Sequence, residues 1–212
     1  MDESEKNVLN NQQDTIARLC SHAGNIIAML KHVLNAENGT NYGTLLMYVS
    51  GLAGHACQRA IVANGEGYEK VSVQDGRNYY FGDEVNAYLF ENRYSIISFM
   101  NAIYNKKTGE NNPDVSLIIK NCASVIGKDN YKIWNIYEPN IIYKMIKSCW
   151  DGIFNNMTSK YCTSPMEWPI LFGIILQNVM NEGMTSGKEK YIYDMALECV
   201  LFISKMRDDS II

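Results

Sequence analysis

Apolar side chains recur at every third or fourth position through most of this 212-residue sequence. That spacing places them on one face of an α-helix, and such a face must be buried against other elements. The pattern predicts six or seven helices, over about residues 16–38, 44–63, 84–104 with a break near 92, 113–126, 139–157, 166–181 and 188–207. With no repeat and no linker-like segment, the sequence predicts an all-α antiparallel multi-helix bundle, a single domain over residues 1–212.

One segment departs from the helical pattern. Two short runs rich in β-branched and aromatic residues flank Asp75-Gly76. Asp-Gly favours a two-residue type I′ turn, because both central residues of that turn need a positive φ. We therefore predict a small inserted β-hairpin over about residues 69–81, with Val71 opposite Tyr80.

Local signals also predict where several helices begin and end. Asn38-Gly39 should end the first helix, since glycine readily adopts the left-handed conformation found there. Asp83 is expected to cap the helix that follows it, because its carboxylate can accept hydrogen bonds from free amides. Asn112-Pro113 is typical of a helix start, and the polar residues 105–112 before it should form a mobile loop.

Charge and hydrophobicity argue against two classes of partner, nucleic acids and membranes. Lys and Arg number 19 and Asp and Glu 23, for a net charge of −4 with no long basic run, which argues against nucleic-acid binding. The most apolar stretch, Trp168 to Leu176, contains Pro169 and Gly173. It is about half the roughly 20 residues that a membrane-spanning helix needs. We therefore expect neither nucleic acid nor membrane as a partner.

The first six residues are polar and acidic, unlike a secretory signal peptide. The sequence therefore predicts a cytoplasmic protein whose six cysteines are reduced thiols. Abundant Asn, Ile, Lys and Tyr, which have A- and T-rich codons, indicate a bacterial source with a low-GC genome.

The cysteines and histidines form no recognisable chemical motif. Most cysteines fall on apolar stripes, as Cys20, Cys149 and Cys199 do, and should be core residues. His55 is two residues from Cys57, which on a helix turns it about 200° away, so it cannot activate that thiol. No pair of histidines or cysteines has metal-ligand spacing, and we expect no metal or other cofactor.

One predicted helix is unusually rich in small residues and contains both Gly51 and Gly54. Each glycine in a helix interior costs about 1 kcal/mol relative to alanine, so a close approach to the backbone should compensate. Either a neighbouring helix packs there, or a ligand does. In the second case the site should use His55 and Arg59, which share a helix face, together with Tyr80 at the hairpin exit.

Two functions remain open from the sequence. The sequence contains no recognisable set of catalytic residues. It therefore favours a non-catalytic interaction or regulatory module. Such a module would self-associate, preferably as a dimer, or bind another protein. The alternative is a small-molecule-binding protein or enzyme, whose site lies between the Gly51–Arg59 helix and the hairpin exit. An exposed apolar patch would favour the first, and a cavity lined by His55, Arg59 and Tyr80 the second.

Overall fold

A computed structural model describes residues 3–36, 41–65, 67–73, 76–128, 131–155, 160, 162 and 164–207. Within these residues the chain forms seven helices of ten or more residues and one antiparallel hairpin, which confirms the predicted all-α bundle with a small inserted β-hairpin. The long helices are α1 (Glu3–Val33), α2 (Tyr42–Asn64), α4 (Ile96–Thr108), α5 (Ser116–Val125), α6 (Pro139–Ile153), α7 (Glu167–Gly183) and α8 (Glu189–Ser204). The hairpin strands are β1 (Glu69–Ser72) and β2 (Asn78–Phe81), and a one-turn helix α3 (Asp83–Asn86) leads into a π-helical turn (Ala87–Glu91).

Helix α2 is the centre of the core. From Leu45 to Ile61 every side chain is buried except those of Tyr48 and Arg59. Its neighbours are α8, α7 and α6, which cover most of its circumference. A helix covered in this way needs apolar or small residues nearly all round, which explains why its apolar stripe is less distinct than that of α6.

The two glycines of α2 are sites of close helix packing. A Cβ atom built on Gly54 would lie 2.4 Å from the Val200 carbonyl oxygen of α8. One built on Gly51 would lie 2.6 Å from the Ile146 side chain of α6. Both distances are shorter than any real contact of a Cβ, so the small-residue run serves helix packing at these positions.

The hairpin lies where the sequence predicts it, but its register is shifted by one residue. Val71 pairs with Tyr79, and Tyr80 pairs with Lys70, so the prediction of Val71 opposite Tyr80 is wrong. Val73 N–H donates to the Arg77 carbonyl at 2.9 Å, which leaves three residues in the turn rather than two. Gly76, the third of them, has a φ of +87°; Asp75 lies outside the described residues.

Strand β2 packs with both faces covered, whereas the residues of β1 are exposed. Tyr79 and Tyr80 are both buried, although successive strand residues point to opposite sides. Tyr79 belongs to the main core, while the Tyr80 ring contacts Tyr68 edge to face. The Tyr80 amide also donates to the Lys205 carbonyl at 2.9 Å, which ties β2 to the chain just after α8.

Two predictions at helix starts are wrong. Asp83 is the first residue of α3 rather than its cap, and Gly82 precedes the helix without a side-chain hydrogen bond. Helix α5 begins at Ser116 instead of Pro113. The Asp114 carboxylate accepts a hydrogen bond from the Ser116 amide at 2.9 Å, so a local side-chain contact outweighs the Asn-Pro signal.

Two predictions at helix ends are also wrong. Helix α1 ends at Val33, and Asn35 has a φ of +51°, so this asparagine takes the left-handed position expected of Gly39, four residues later. Helix α4 continues to Thr108, so the first half of the predicted 105–112 loop is helical.

The cysteines are free thiols, and four of them are buried: Cys57, Cys122, Cys162 and Cys199. Burial raises the pKa of Cys122 to about 12 and that of the half-buried Cys149 to about 11. Cys20 is exposed, so its assignment to the core is wrong. It follows Leu19, which is fully buried, and a rotation of about 100° per residue turns its side chain away from the core.

We expect Gly54→Ala to lower the free energy of unfolding by about 2 kcal/mol or more, because the added methyl group would overlap the backbone of α8. Gly24 in the middle of α1 is the matched control, since nothing lies within 4 Å of a Cβ built there. Gly24→Ala should raise stability by about 0.5–1 kcal/mol through helix propensity. Urea denaturation measures both. A Gly54→Ala variant as stable as Gly24→Ala would contradict the packing described.

A chromogenic thiol reagent should react with native protein first at Cys20 and more slowly at Cys149, while the four buried thiols should react only after denaturation. After denaturation without reductant, all six should titrate. Rapid reaction of four or more thiols in the native protein would contradict the burial of the cysteines. A final count below six would contradict their reduced state.

Candidate ligand-binding cavity

Helix α2 presents a face next to its contact with α8 to an open cavity of about 490 Å³. This face contributes His55, Gln58, Arg59 and Val62, which recur at the three- and four-residue spacing of one helix side. Helix α6 forms the opposite wall with four residues at the same kind of spacing: Tyr143, Lys147, Trp150 and Asp151. The cavity is therefore a groove between two helices of the bundle.

Tyr80 of β2 and Arg207, which follows α8, form the third wall. The guanidinium carbon of Arg207 lies 4.7 Å from the centre of the Tyr80 ring and 5.7 Å from that of Tyr68. The Tyr68 hydroxyl donates to the Gln58 carbonyl at 2.7 Å, which connects this aromatic pair to α2. Stacking on aromatic faces holds a guanidinium plane in place, so Arg207 is oriented before any ligand arrives.

Gln58 fixes the chain that carries Arg207. Its buried side-chain amide donates to the Met206 carbonyl and, at 3.4 Å, to the Ser204 carbonyl. These hydrogen bonds satisfy carbonyl groups at the C-terminal end of α8 that have no partner within the helix. A residue of the cavity wall on α2 therefore also positions the residues next to Arg207.

His55 lies at the aromatic end of the cavity and is only 3% exposed. Its ring centre is 5.3 Å from that of Trp150 and 5.9 Å from that of Tyr143, and both pairs pack edge to face. Trp150 in turn contacts Phe154, Trp168 and Phe172. This connected cluster makes the aromatic end of the cavity part of the rigid core.

The charged groups of the cavity are mainly positive. Among the described residues that line it, Arg59, Lys147 and Arg207 carry positive charges and Asp151 a negative one. Arg59 and Asp151 are exposed, whereas Lys147 and Arg207 are half-buried. The whole chain has a net charge of −4, so the cavity has the opposite sign to the protein around it. Such a local field attracts anions.

The structure brings the three residues of the predicted site together, since His55, Arg59 and Tyr80 all line this cavity. Ligand binding by them stays a prediction. The wall formed by α6 and the contribution of Arg207 were not predicted from the sequence. A signal for α6 was present, because Lys147 is four residues after Tyr143 and three before Trp150 and so shares a helix face with both aromatic residues. Nothing in the sequence indicates that Arg207 stacks on a tyrosine 127 positions earlier, because that contact depends on how the hairpin docks.

A larger cavity, of about 670 Å³, lies where α1, α2, α7 and α8 meet. Its lining includes Lys31, whose ammonium forms a salt bridge of 2.7 Å with Glu182. Lys188 also lines this cavity, so its described lining residues carry a net charge of +1, compared with +2 for the cavity between α2 and α6. The cavity between α2 and α6 is therefore the stronger candidate.

The described residues contain no group of three or more side chains suited to hold a metal ion. Cys57 does not serve as a nucleophile in this region, because complete burial raises its pKa far above the usual range. The cavity thus offers cationic donors, aromatic rings and one imidazole.

Comparisons with protein-family models, curated proteins and solved structures find no match to this chain. None of the helices within the described residues is long and apolar enough to cross a membrane.

A buried lysine next to the cavity gives the protein a pH-dependent stability. Lys205 is 8% exposed, and its ammonium lies 5.3 Å from the centre of the Phe81 ring. Burial lowers its pKa from 10.5 to about 8. Below pH 8 the amine is charged in both the folded and the unfolded chain. Between pH 8 and 10.5 only the unfolded chain holds the proton, so this group makes folding more favourable as the pH rises.

We expect Lys205→Met, which keeps the apolar stem, to raise the free energy of unfolding at pH 7 by on the order of 1–3 kcal/mol. The advantage over the unsubstituted protein should shrink between pH 8 and 10, where the buried amine becomes neutral. Urea denaturation of both proteins at several pH values measures the difference between their free energies of unfolding. The titration of other groups is common to both proteins and cancels in that difference. A variant less stable than the unsubstituted protein at pH 7 would show that the ammonium is not destabilising.

Proposed function

We propose that this protein binds a small anionic molecule in the cavity between α2 and α6, as a small-molecule-binding protein or as an enzyme that acts on such a molecule. The observation that carries the proposal is the convergence of Arg59, Lys147 and Arg207 on one cavity of an acidic protein. Each comes from a different part of the chain, so sequence proximity does not explain their meeting.

Two further observations support the proposal. The cavity volume, about 490 Å³, falls within the range of about 300–1,000 Å³ that is typical of ligand sites. In addition, the stacking of Arg207 on Tyr80 holds a cation in place, which reduces the entropy lost when a ligand binds. Self-association, a cytoplasmic location and the absence of nucleic-acid partners stay predictions from the sequence.

Isothermal titration calorimetry with four small probes tests the proposal. Phenyl phosphate, phenyl sulfate and benzoate carry a negative charge, whereas benzyl alcohol is a neutral molecule of similar size. We expect at least one of the anions to bind with one-to-one stoichiometry and the alcohol to bind at least tenfold more weakly. Binding should weaken as salt is added, because the cations are partly exposed.

Arg59→Gln should weaken binding of the anion by about tenfold, since it removes one charge from the wall without disturbing the core. Arg93→Gln is the control, because Arg93 is exposed and lies outside the cavity. The proposal fails if benzyl alcohol binds as tightly as every anion, if none of the anions binds, or if the two variants lose affinity equally.

A further inference from the structure

Two residues of the cavity wall, Arg59 and Asp151, carry opposite charges. Arg59 belongs to α2 and Asp151 to α6, so the two side chains reach the cavity from opposite walls. Both are exposed, and neither forms a hydrogen bond or a salt bridge with the protein in the part of the chain that the structure describes. Lys147 and Arg207, by contrast, already interact with other residues. A ligand can therefore pair with Arg59 and Asp151 without breaking an existing contact.

Asp151 is unfavourable for a ligand that carries negative charge alone. A carboxylate in the wall of the site repels such a ligand, because like charges brought together on binding cost affinity. The same carboxylate attracts a protonated amine. Resting on the proposed function, we propose that the ligand is an amino acid or a related amine-bearing acid, with its anionic group at Arg59 and its ammonium group at Asp151.

The chemistry of the two side chains matches such a ligand. The guanidinium of an arginine can donate two parallel hydrogen bonds to one carboxylate, so Arg59 alone can hold the acid group. An ammonium group has three donors and no acceptor, and the carboxylate of Asp151 has only acceptors. Each end of the ligand therefore meets a side chain of opposite charge that complements its hydrogen-bonding groups.

The core sets the separation between the two charges. Arg59 and Asp151 form no salt bridge with each other although they line one cavity, so a gap remains between them. Gly51 of α2 packs against Ile146 of α6, which fixes the spacing of the two helices that carry these charges. A ligand whose amine and acid groups lie at opposite ends of a rigid ring can span the gap.

Calorimetry at about pH 7 with the meta and para isomers of (aminomethyl)benzoate tests the inference. Each isomer is compared with the matching (hydroxymethyl)benzoate, which has the same ring and carboxylate and a neutral group of similar size in place of the amine. The amine is protonated at this pH, since alkyl amines have a pKa of about 10. We expect at least one amine to bind about threefold or more tightly than its alcohol, the modest factor that an exposed ion pair supplies.

Asp151→Asn keeps the size of the side chain and removes its charge. The amine should then lose its advantage, while the alcohol should bind as tightly as before or more tightly, because a repulsive carboxylate is gone. Glu91 is exposed and lies outside the cavity, so Glu91→Gln is the control and should change neither affinity.

The outcomes separate this inference from the proposed function. If neither amine binds more tightly than its alcohol, or if Asp151→Asn preserves the advantage, no amine is recognised at Asp151, although anion binding stands. If Asp151→Asn weakens amine and alcohol equally, Asp151 maintains the cavity instead of binding an amine, and the inference is again wrong. If no anion binds at all, both proposals fail.

Discussion

The rest of the structure depends on the close contact between α2 and α8 at Gly54. At this point the Val200 carbonyl occupies the space that a side chain would need, so the two backbones are in direct contact. One turn earlier, Gly51 lies against Ile146 of α6 and Ile203 of α8. The same short stretch of α2 therefore sets the distance to both neighbours. It also determines how far α6 stands from α2 where the cavity opens.

The contact with α8 and the candidate site use neighbouring sides of one helix. Gly54 faces α8, and His55 is rotated from it by about 100° and faces α6. Arg59, one turn further, shares the side of His55 and reaches the opening of the cavity. Because α2 is held by the core, the cavity wall that it supplies is rigid. Pre-formed sites of this kind lose less entropy when a ligand binds.

The sequence predicts those features that follow from local periodicity. Apolar spacing predicts the helices, and the turn residues with their β-branched flanking runs predict the hairpin. His55 and Arg59 were paired because they are four residues apart on one helix. The register of the hairpin was missed because Asp-Gly is compatible with both a two-residue and a three-residue turn. Local pattern alone does not choose between them.

The remaining parts of the site depend on tertiary packing. Tyr80 was proposed from its place at the hairpin exit, but its role as the ring beneath Arg207 requires the docked hairpin. Lys147 was overlooked because a lysine on an amphipathic helix is most often a solvated surface residue. In the fold, its face of α6 is turned towards α2, so the charge lines a cavity instead of open solvent.

The most direct test of this account is a ¹H–¹⁵N NMR titration of the labelled protein with phenyl phosphate. We expect the largest chemical-shift changes at Tyr80 and Arg207 and in two segments, residues 55–62 of α2 and 143–151 of α6, with α5 unchanged. Changes concentrated on α5 or around the Lys31–Glu182 salt bridge, or no changes at all, would contradict the assignment of the cavity as a ligand site.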